Sequence, residues 1–395
     1  MGVLRRGVLA AVGLGSIIAA TVGVAVGTSV PVLATSTPGY NTVNVGAYGG
    51  EPSIVSDSLG QLYDSTPSGG TLTYTSTNHG RSWAPVRTAA PQSGDDCLAT
   101  DQSNSVYLCN LNVIAGTSTL QADVFKSTDH GQTWTRGTTP SVPACGSTSC
   151  SPFGVDRPWV AASIPAGGTT NTAEVVLMYH DFFGPSQIWV NISTDGGNTF
   201  GGPKEVLASP AVTPGAIAGT LVAQGYTFCN TVPSGVRIVP PGVPHAGRIY
   251  VAWIAAGDPG QVDVAYLRTP EILPTDPFGK ADPGGCAGPG TGGNPPTYPP
   301  ACQWNLFAAQ SLNLTSSPSK ASWSATQITT TPMHIGDICN LGIFCLAPSS
   351  NRNLLDFIME AVDPSGCAHI AYADDNTVHQ LRAANQTSGC FKMRF

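Results

Sequence analysis

The sequence predicts an all-β protein: a single β-propeller of four-stranded antiparallel blades, with six blades favoured over five. Three observations lead there. One eight-residue motif occurs three times. Strand-like runs alternate with turns along the chain. Glycine and proline number 46 and 33 among 395 residues, while hydrophobic residues make up 41%. That Gly and Pro share is below the roughly 25–30% that accompanies disorder. The chain can therefore bury a large core and still spend many residues on corners.

The clearest copy of the motif is Ser127-Thr128-Asp129-His130-Gly131-Gln132-Thr133-Trp134. The first copy is Ser76-Thr77-Asn78-His79-Gly80-Arg81-Ser82-Trp83 and the third is Ser193-Thr194-Asp195-Gly196-Gly197-Asn198-Thr199-Phe200. Asp or Asn accepts hydrogen bonds from amides two residues on and closes a turn. Gly at the fifth position takes positive φ without a Cβ clash. Ser and Thr add hydroxyl-to-backbone bonds, and the aromatic carries apolar area into the core. Each copy reads as a stiff hairpin corner that consumes its own polar groups, so Asp129 and Asp195 are not catalytic candidates. Repetition at spacings of 51 and 66 residues points to a repeat architecture. A worn fourth copy is read at Ser316 to Trp323, with Pro318 for Asp and Lys320 for Gly. With Trp134 in the core, Trp134→Ala is expected to cost roughly 3–5 kcal/mol.

These corners resemble the Asp-box, or BNR repeat, of the sialidase-like β-propellers. In that family the box lies between the third and fourth strands of a blade. The resemblance covers the fold and the corners. It implies that first strands line a central channel and that ligands bind at its mouth.

Residues 1–34 read as an export signal. Arg5 and Arg6 precede an apolar, Gly- and Ala-rich run, and Val32-Leu33-Ala34 offers a cleavage site. Ordinary and twin-arginine export both remain open, and an uncleaved anchor is the competing reading. After cleavage no stable membrane anchor is expected, and the protein is placed as secreted or in the cell envelope. The mature chain keeps 15 basic against 24 acidic residues, a net −9. That argues against nucleic acid, which needs clustered cations.

All eleven cysteines follow the signal and read as disulfides. Cys97 and Cys109 face each other across a hairpin. Cys145 with Cys150, Cys339 with Cys345, Cys286 with Cys302 and Cys367 with Cys390 close further loops. Cys229 is left over, or displaces one of these partners. No spacing suits zinc, and neither metal nor cofactor is expected.

Strands are predicted in order from residue 42. A short run, 42–47, comes first. One blade spans 52–58, 61–65, 71–75 and 83–88; the next spans 96–101, 105–110, 122–126 and 134–137. A third spans 156–164, 174–180, 187–191 and 200–207. Runs at 236–239, 248–255, 262–268, 306–314 and 323–329 make one or two further blades, interrupted by a Pro/Gly-rich insertion at 269–301. The last unit, 355–362, 368–373 and 378–383, lacks a fourth strand. Residues 42–47 are expected to supply it, which removes exposed edges. No linker divides 35–395 into domains.

The starts of the first strands are polar for so uncharged a chain (10% charged). They carry Glu51, Asp95-Asp96, Asp156-Arg157, Arg237, and Arg352 with Asp356. Either these form a ring around one pocket, or each acid caps or bridges a neighbouring blade. The sialidase resemblance implies three arginines on a substrate carboxylate, a Tyr activated by Glu, and an Asp acid/base. The family's Arg belongs to a Phe/Tyr-Arg-Ile-Pro motif. The matching strand here is Glu51-Pro52-Ser53-Ile54, without Arg. Arg157, Arg237 and Arg352 are a possible substitute cluster. Tyr266, Tyr372, Glu174 and Glu360 are candidates without a motif.

The leading expectation is therefore a non-catalytic extracellular propeller that holds a glycan or other polar ligand. An exo-sialidase-type glycoside hydrolase is the alternative, and a structural envelope protein the third reading. His180-Asp181, His334 with Asp337, and Asp374-Asp375 read as capped or tied turns rather than metal sites. Sequons at Asn191, Asn313 and Asn385 carry no weight if the source is bacterial, as the export signal suggests. The sequence gives no sign of oligomeric state.

Overall fold

The computed structural model describes residues 37–89, 94–138, 154–181, 188–207, 237–238, 249–250, 255–256, 260–268, 303–314, 321–336, 353–354 and 358–392. One 3-10 turn, Thr170–Thr172, is the sole helical element among them. The described chain enters through β1 (Gly39–Gly46). The first sheet is β2 (Ser53–Ser56), β3 (Leu62–Pro67), β4 (Thr71–Ser76) and β5 (Ala84–Pro85). The second is β6 (Gly94–Thr100), β7 (Val106–Val113), β8 (Leu120–Ser127) and β9 (Thr135–Arg136). The third is β10 (Val155–Ser163), β11 (Glu174–Asp181), β12 (Ile188–Ser193) and β13 (Lys204–Leu207).

A two-stranded ladder follows, β14 (Arg237–Ile238) with β15 (Ile249–Tyr250). Next come β16 (Ala255–Ala256), β17 (Val262–Arg268), β18 (Gln303–Ser311) and β19 (Ser324–Gln327), with β20 (His334–Ile335) added on β18. The last sheet holds β21 (Met359–Val362), β22 (Ala368–Asp374) and β23 (Gln380–Ser388).

All these pairings are antiparallel. First strands pack side by side in chain order from β21 through β2, β6 and β10 to β14, and β16 returns to β21. Meanders arranged around a ring of first strands make a β-propeller. The number of blades turns on residues 208–256, most of which lie outside the described residues. Closure is as expected: β1 pairs with β23, Thr42 opposite Ala384 and Val43 opposite Ala383. No edge is left open there. The core lies between neighbouring sheets, where Ile54, Tyr107, Trp159 and Met359 share one buried cluster. Disulfides Cys97–Cys109 and Cys367–Cys390 are present. The remaining cysteine pairings, the 269–301 insertion and the signal lie outside the described residues.

The octapeptide corners are nearly superimposable in their bonding. Ser127 Oγ donates to Asp129 Oδ1 (2.7 Å) and accepts from Gly131 N (2.8 Å), while Thr133 N donates to Asp129 Oδ1 (2.8 Å). Ser76, Asn78, Gly80 and Ser82 repeat this, as do Ser193, Asp195, Gly197 and Thr199. The closing amide therefore sits four residues on, not two. The fifth-position glycines have φ of 75°, 84° and 84°, and the fourth position is also left-handed, at His79, His130 and Gly196. The worn copy needs correction. Ser311 Oγ and Asn313 make the first half of the corner, and Ser322 N donates to Asn313 Oδ1 (2.8 Å). The copy is thus Ser311-Leu312-Asn313 with an insertion before Ser322-Trp323, not a sequence damaged at Pro318 and Lys320.

A second acidic corner recurs at the first hairpin of three sheets: Asp57-Ser-Leu-Gly-Gln-Leu-Tyr63, Asp101-Gln-Ser-Asn-Ser-Val-Tyr107 and Asp363-Pro-Ser-Gly-Cys-Ala-His369. Asp Oδ1 accepts amides at the second and fourth following residues. The sixth residue reaches Oδ2: Tyr63 at 3.2 Å, Tyr107 at 2.9 Å, His369 at 3.2 Å. The octapeptide of each sheet docks on the acidic corner of the sheet before it. His130 Nδ1 meets the Tyr63 hydroxyl at 2.7 Å, and His79 Nδ1 meets Asp363 Oδ2 at 3.1 Å. In the third copy Gly196 replaces histidine, because a Cβ there would lie 2.2 Å from Thr170 O. Thr170 Oγ1 instead donates to Asp101 Oδ2 (2.8 Å).

The corner aromatics differ from expectation. Phe200 is buried, but Trp83 and Trp134 are only half-buried. Trp134 caps a seam, its Nε1 donating to Arg87 O (2.8 Å). Trp134→Ala is therefore expected to cost about 1–3 kcal/mol, less than a core truncation. Asp101→Ala strips a buried acceptor from four donors and is expected to cost about 3–4 kcal/mol. Urea midpoints of the two variants check this ranking; a larger loss from Trp134→Ala would reverse it.

Candidate functional site

The starts of three first strands meet in one charged cluster. Arg157, at the start of β10, pairs through Nη2 with Glu51 Oε1, and its Nε lies 3.5 Å from Asp95 Oδ2. One guanidinium thus joins the first, second and third sheets. Arg157 N also donates to Asp156 Oδ1 (2.9 Å). Glu51 and Arg157 are 1% and 4% exposed, whereas a quarter of the Asp95 side chain reaches solvent.

Irregular backbone aims these side chains. Glu51 and Arg157 have φ of 51° and 50°, and each precedes a proline, Pro52 or Pro158. Proline pushes the preceding residue toward extended conformation, so a left-handed residue there is strained, by roughly 1–3 kcal/mol. The β10–β11 register shifts between Asp156 and Trp159, and the β6–β7 register shifts between Gly94 and Asp96. Such bulges re-aim a side chain at the end of a strand.

Behind this layer lie Asp64 on β3 and Asp96 on β6. Both are buried, and none of their four carboxyl oxygens has a hydrogen-bond partner. Burial, then the nearby Asp96 charge, holds the Asp64 carboxyl well above the usual range. Burial pushes Asp96 up to about 8; Glu51 adds to this, while the Ser65 hydroxyl and Arg157 pull against it. Ser65 Oγ is close to Asp96 but outside hydrogen-bond geometry. Burial also raises Asp95, with Glu51 and Asp156 helping and Arg157 opposing. The site therefore holds carboxylic acids beside a carboxylate fixed by a guanidinium. Acids and bases separated by environment in this way are what proton-transfer chemistry requires.

Of the residues predicted from sequence, Glu51, Asp95, Asp96, Asp156 and Arg157 converge. Arg237 begins β14, but its side chain lies outside the described set, as do Arg352 and Asp356. Glu51 N donates to Leu354 O (3.4 Å), which places the 353–354 turn beside the cluster. Asp64 and Ser65 were missed. Their signal was a polar stretch inside a strand buried almost throughout.

The sialidase parts do not assemble among the described residues. Tyr372 is buried, raised to about 12 by burial, with Arg382 and Asp374 as its charged neighbours. Tyr266 stacks on Phe307, and Glu360 accepts from Ala265 N (3.0 Å). Asp374 closes a turn with Asn376 and Thr377, and Asp375 binds His334 (2.9 Å). The sequon residue Asn191 is buried and donates to Gly201 O (2.7 Å). Among the described residues no three or more His, Cys, Asp or Glu side chains are arranged so that they could hold a metal ion. No helix there is long and apolar enough to cross a membrane.

No family model and no curated protein matches the chain. Solved structures similar to it include an α-L-arabinanase of Penicillium chrysogenum, 14% identical over 84% of this chain and 80% of the other, with a TM-score of 0.34. The α-L-arabinofuranosidase Arb93A of Fusarium graminearum is 10% identical over 87% and 97%, with a TM-score of 0.39. The GH43 protein BlXynB of Bacillus licheniformis is 8% identical over 88% and 55%, with a TM-score of 0.37. Likenesses this remote assign neither activity nor substrate to the chain.

The raised carboxyls make stability depend on pH. Folded Asp96 keeps its proton up to about 8, against 3.8 for the free group. The folded state thus binds more protons between these values, and stability falls as pH rises through them. Asp129, held at about 2 by Thr133, acts the other way but only below pH 4. Unfolding midpoints are expected to be higher at pH 5 than at pH 8, and Asp96→Asn to shrink that difference. An unchanged difference in Asp96→Asn would show that Asp96 is already ionised at pH 5.

Proposed function

We propose that this is an extracytoplasmic, glycan-acting propeller, exported by residues 1–34 and built on Asp-box corners. It cleaves a glycosidic bond in a neutral glycan where Glu51, Asp95, Asp96, Asp156 and Arg157 converge. The observation that supports hydrolysis over passive binding is the coexistence of two carboxyl environments in one cluster. Glycoside hydrolysis needs a carboxylic acid to protonate the leaving oxygen and a carboxylate to activate water or attack the sugar. Asp95 is the exposed acid and the natural proton donor. Asp156, within hydrogen-bonding reach of Asp95, is too close to be the opposing carboxylate, which stands roughly 5–9.5 Å away in such enzymes, and instead helps keep the proton on Asp95. Glu51 and Arg157 position them, and Asp64 and Asp96 lie too deep to touch substrate and set the local charge. A neutral substrate follows from the ion pairing. The Arg157 guanidinium is already paired with Glu51 and Asp95, so it is not available to hold the carboxylate of an anionic sugar.

A second reading keeps a specific support. Arg157, Glu51 and Asp95 satisfy one another across three sheets, as a purely structural clamp would. The two readings part under assay. The mature protein is expected to release sugar from a panel of neutral aryl glycosides and polysaccharides. Asp95→Asn is expected to lower kcat roughly 100-fold or more while melting close to wild type. Glycan binding without turnover would return the protein to the ligand-binding class, and neither binding nor turnover would leave the clamp.

A further inference from the structure

The carboxylate cluster has a neighbour on the same end of the axis. Tyr48 and His379 stack with ring centroids 4.0 Å apart and planes 9° from parallel. Tyr48, three residues before Glu51, is half-buried, and His379 is exposed at the turn between β22 and β23. The stack therefore offers one ring face to solvent, flanked by Val378 at 41% exposure.

The pair is held from below. The Tyr48 hydroxyl donates to Asn353 O, and Ser68 Oγ donates to Tyr48 O (2.7 Å). Asn353 Nδ2 donates to Asp375 Oδ2 (2.8 Å), and Asp375 binds the buried His334. His379 has φ of 50°. It is a non-glycine residue in left-handed backbone, a conformation that clusters at ligand sites when it persists. Tyr48 and Glu51 each hold one of two consecutive carbonyls, Asn353 O and Leu354 O. Three residues of chain span at most about 10 Å. Stack and carboxylates therefore flank a single turn within the length of a short oligosaccharide.

We propose that Tyr48 and His379 form a carbohydrate-stacking subsite, which seats one neutral sugar ring while the adjoining ring enters the carboxylate cluster. It rests on the glycan-acting reading above and extends it to oligomeric substrates. A pyranose or furanose ring presents a face of C–H bonds that packs on a flat aromatic surface. A stack fixed in advance loses little conformational freedom on binding. The charged groups acting on Tyr48 among the described residues are the carboxylates of Asp375 and Asp374, so the subsite suits neutral rather than anionic sugars.

The test uses the mature protein, native affinity electrophoresis in gels containing neutral polysaccharides, and kinetics on neutral oligosaccharides of increasing length. His379→Ala is expected to weaken retention roughly tenfold and to raise KM for longer substrates more than it lowers kcat. His379→Phe is expected to restore both, because it keeps the aromatic face. Thermal midpoints establish that both variants fold. Retention of His379→Ala equal to wild type would overturn the subsite and leave the hydrolase reading intact. Retention that depends on His379 in a protein without turnover would keep the subsite and sink the hydrolase reading. A folded wild type that binds none of the panel would overturn both.

Discussion

A single buried guanidinium organises one end of this propeller's axis. Arg157 faces Glu51 and Asp95 from two other sheets, and little water reaches the pair with Glu51. Ion pairs taken out of water gain little net stability, yet losing one partner strands the other charge and is costly. The clamp is therefore better understood as a device for geometry than as a source of stability. It holds two strained residues, Glu51 and Arg157, in left-handed backbone ahead of prolines. Without the pairing, each would relax toward the extended form that proline favours. The carboxyls would then lose their shared focus.

The seams between sheets solve a different problem with the same residue type. At the octapeptide and hairpin corners, aspartates accept two or more short bonds from amides and hydroxyls. Asp129 is held low by Thr133, and Asp363 is held low by His369, Ser365 and His79 against the burial that pushes the other way. At the axial end, Asp64 and Asp96 are buried without such donors and are driven up. Placement of donors decides between a structural carboxylate and a proton-holding acid. The corners fix the sheets around the axis.

Much of the fold was legible because its cues are local. The octapeptide, the strand runs and the closing strand at Thr42 were each readable from a few adjacent residues. The acidic hairpin corner was equally local but escaped notice, since Asp57, Asp101 and Asp363 share only Asp, a left-handed fourth residue and a Tyr or His six residues on. Convergence of Glu51, Asp95, Asp96, Asp156 and Arg157 followed from their places at strand starts. Pairing was not legible. Nothing in Glu51-Pro52 or Arg157-Pro158 announces that both residues adopt positive φ, because proline argues for the opposite. The worn corner was misplaced for a related reason: its partners Asn313 and Ser322 are separated by an insertion that local pattern matching does not bridge. Burial of the corner tryptophans was overestimated, because an aromatic can close a seam from outside.

A raised carboxyl does not by itself mark a site, and the chain contains its own control. Asp263 is raised to about 6 by burial, and Glu360 is raised by burial and by Asp263. Yet Asp263 accepts from Val264 N, the Tyr40 hydroxyl and Gln310 Nε2, and Glu360 accepts from Ala265 N. That pair lies in regular strands and ties β1 and β21 to β17. The axial cluster differs in degree and in backbone: its strands are bulged with two left-handed residues, and its inner acids, Asp64 and Asp96, lack partners on both oxygens, where Glu360 lacks one on Oε1 alone. Strain and unmet polarity cost stability, and a seam gains nothing from either. Their coincidence where three sheets meet, beside an exposed and braced aromatic face, sets this end of the axis apart from the seams.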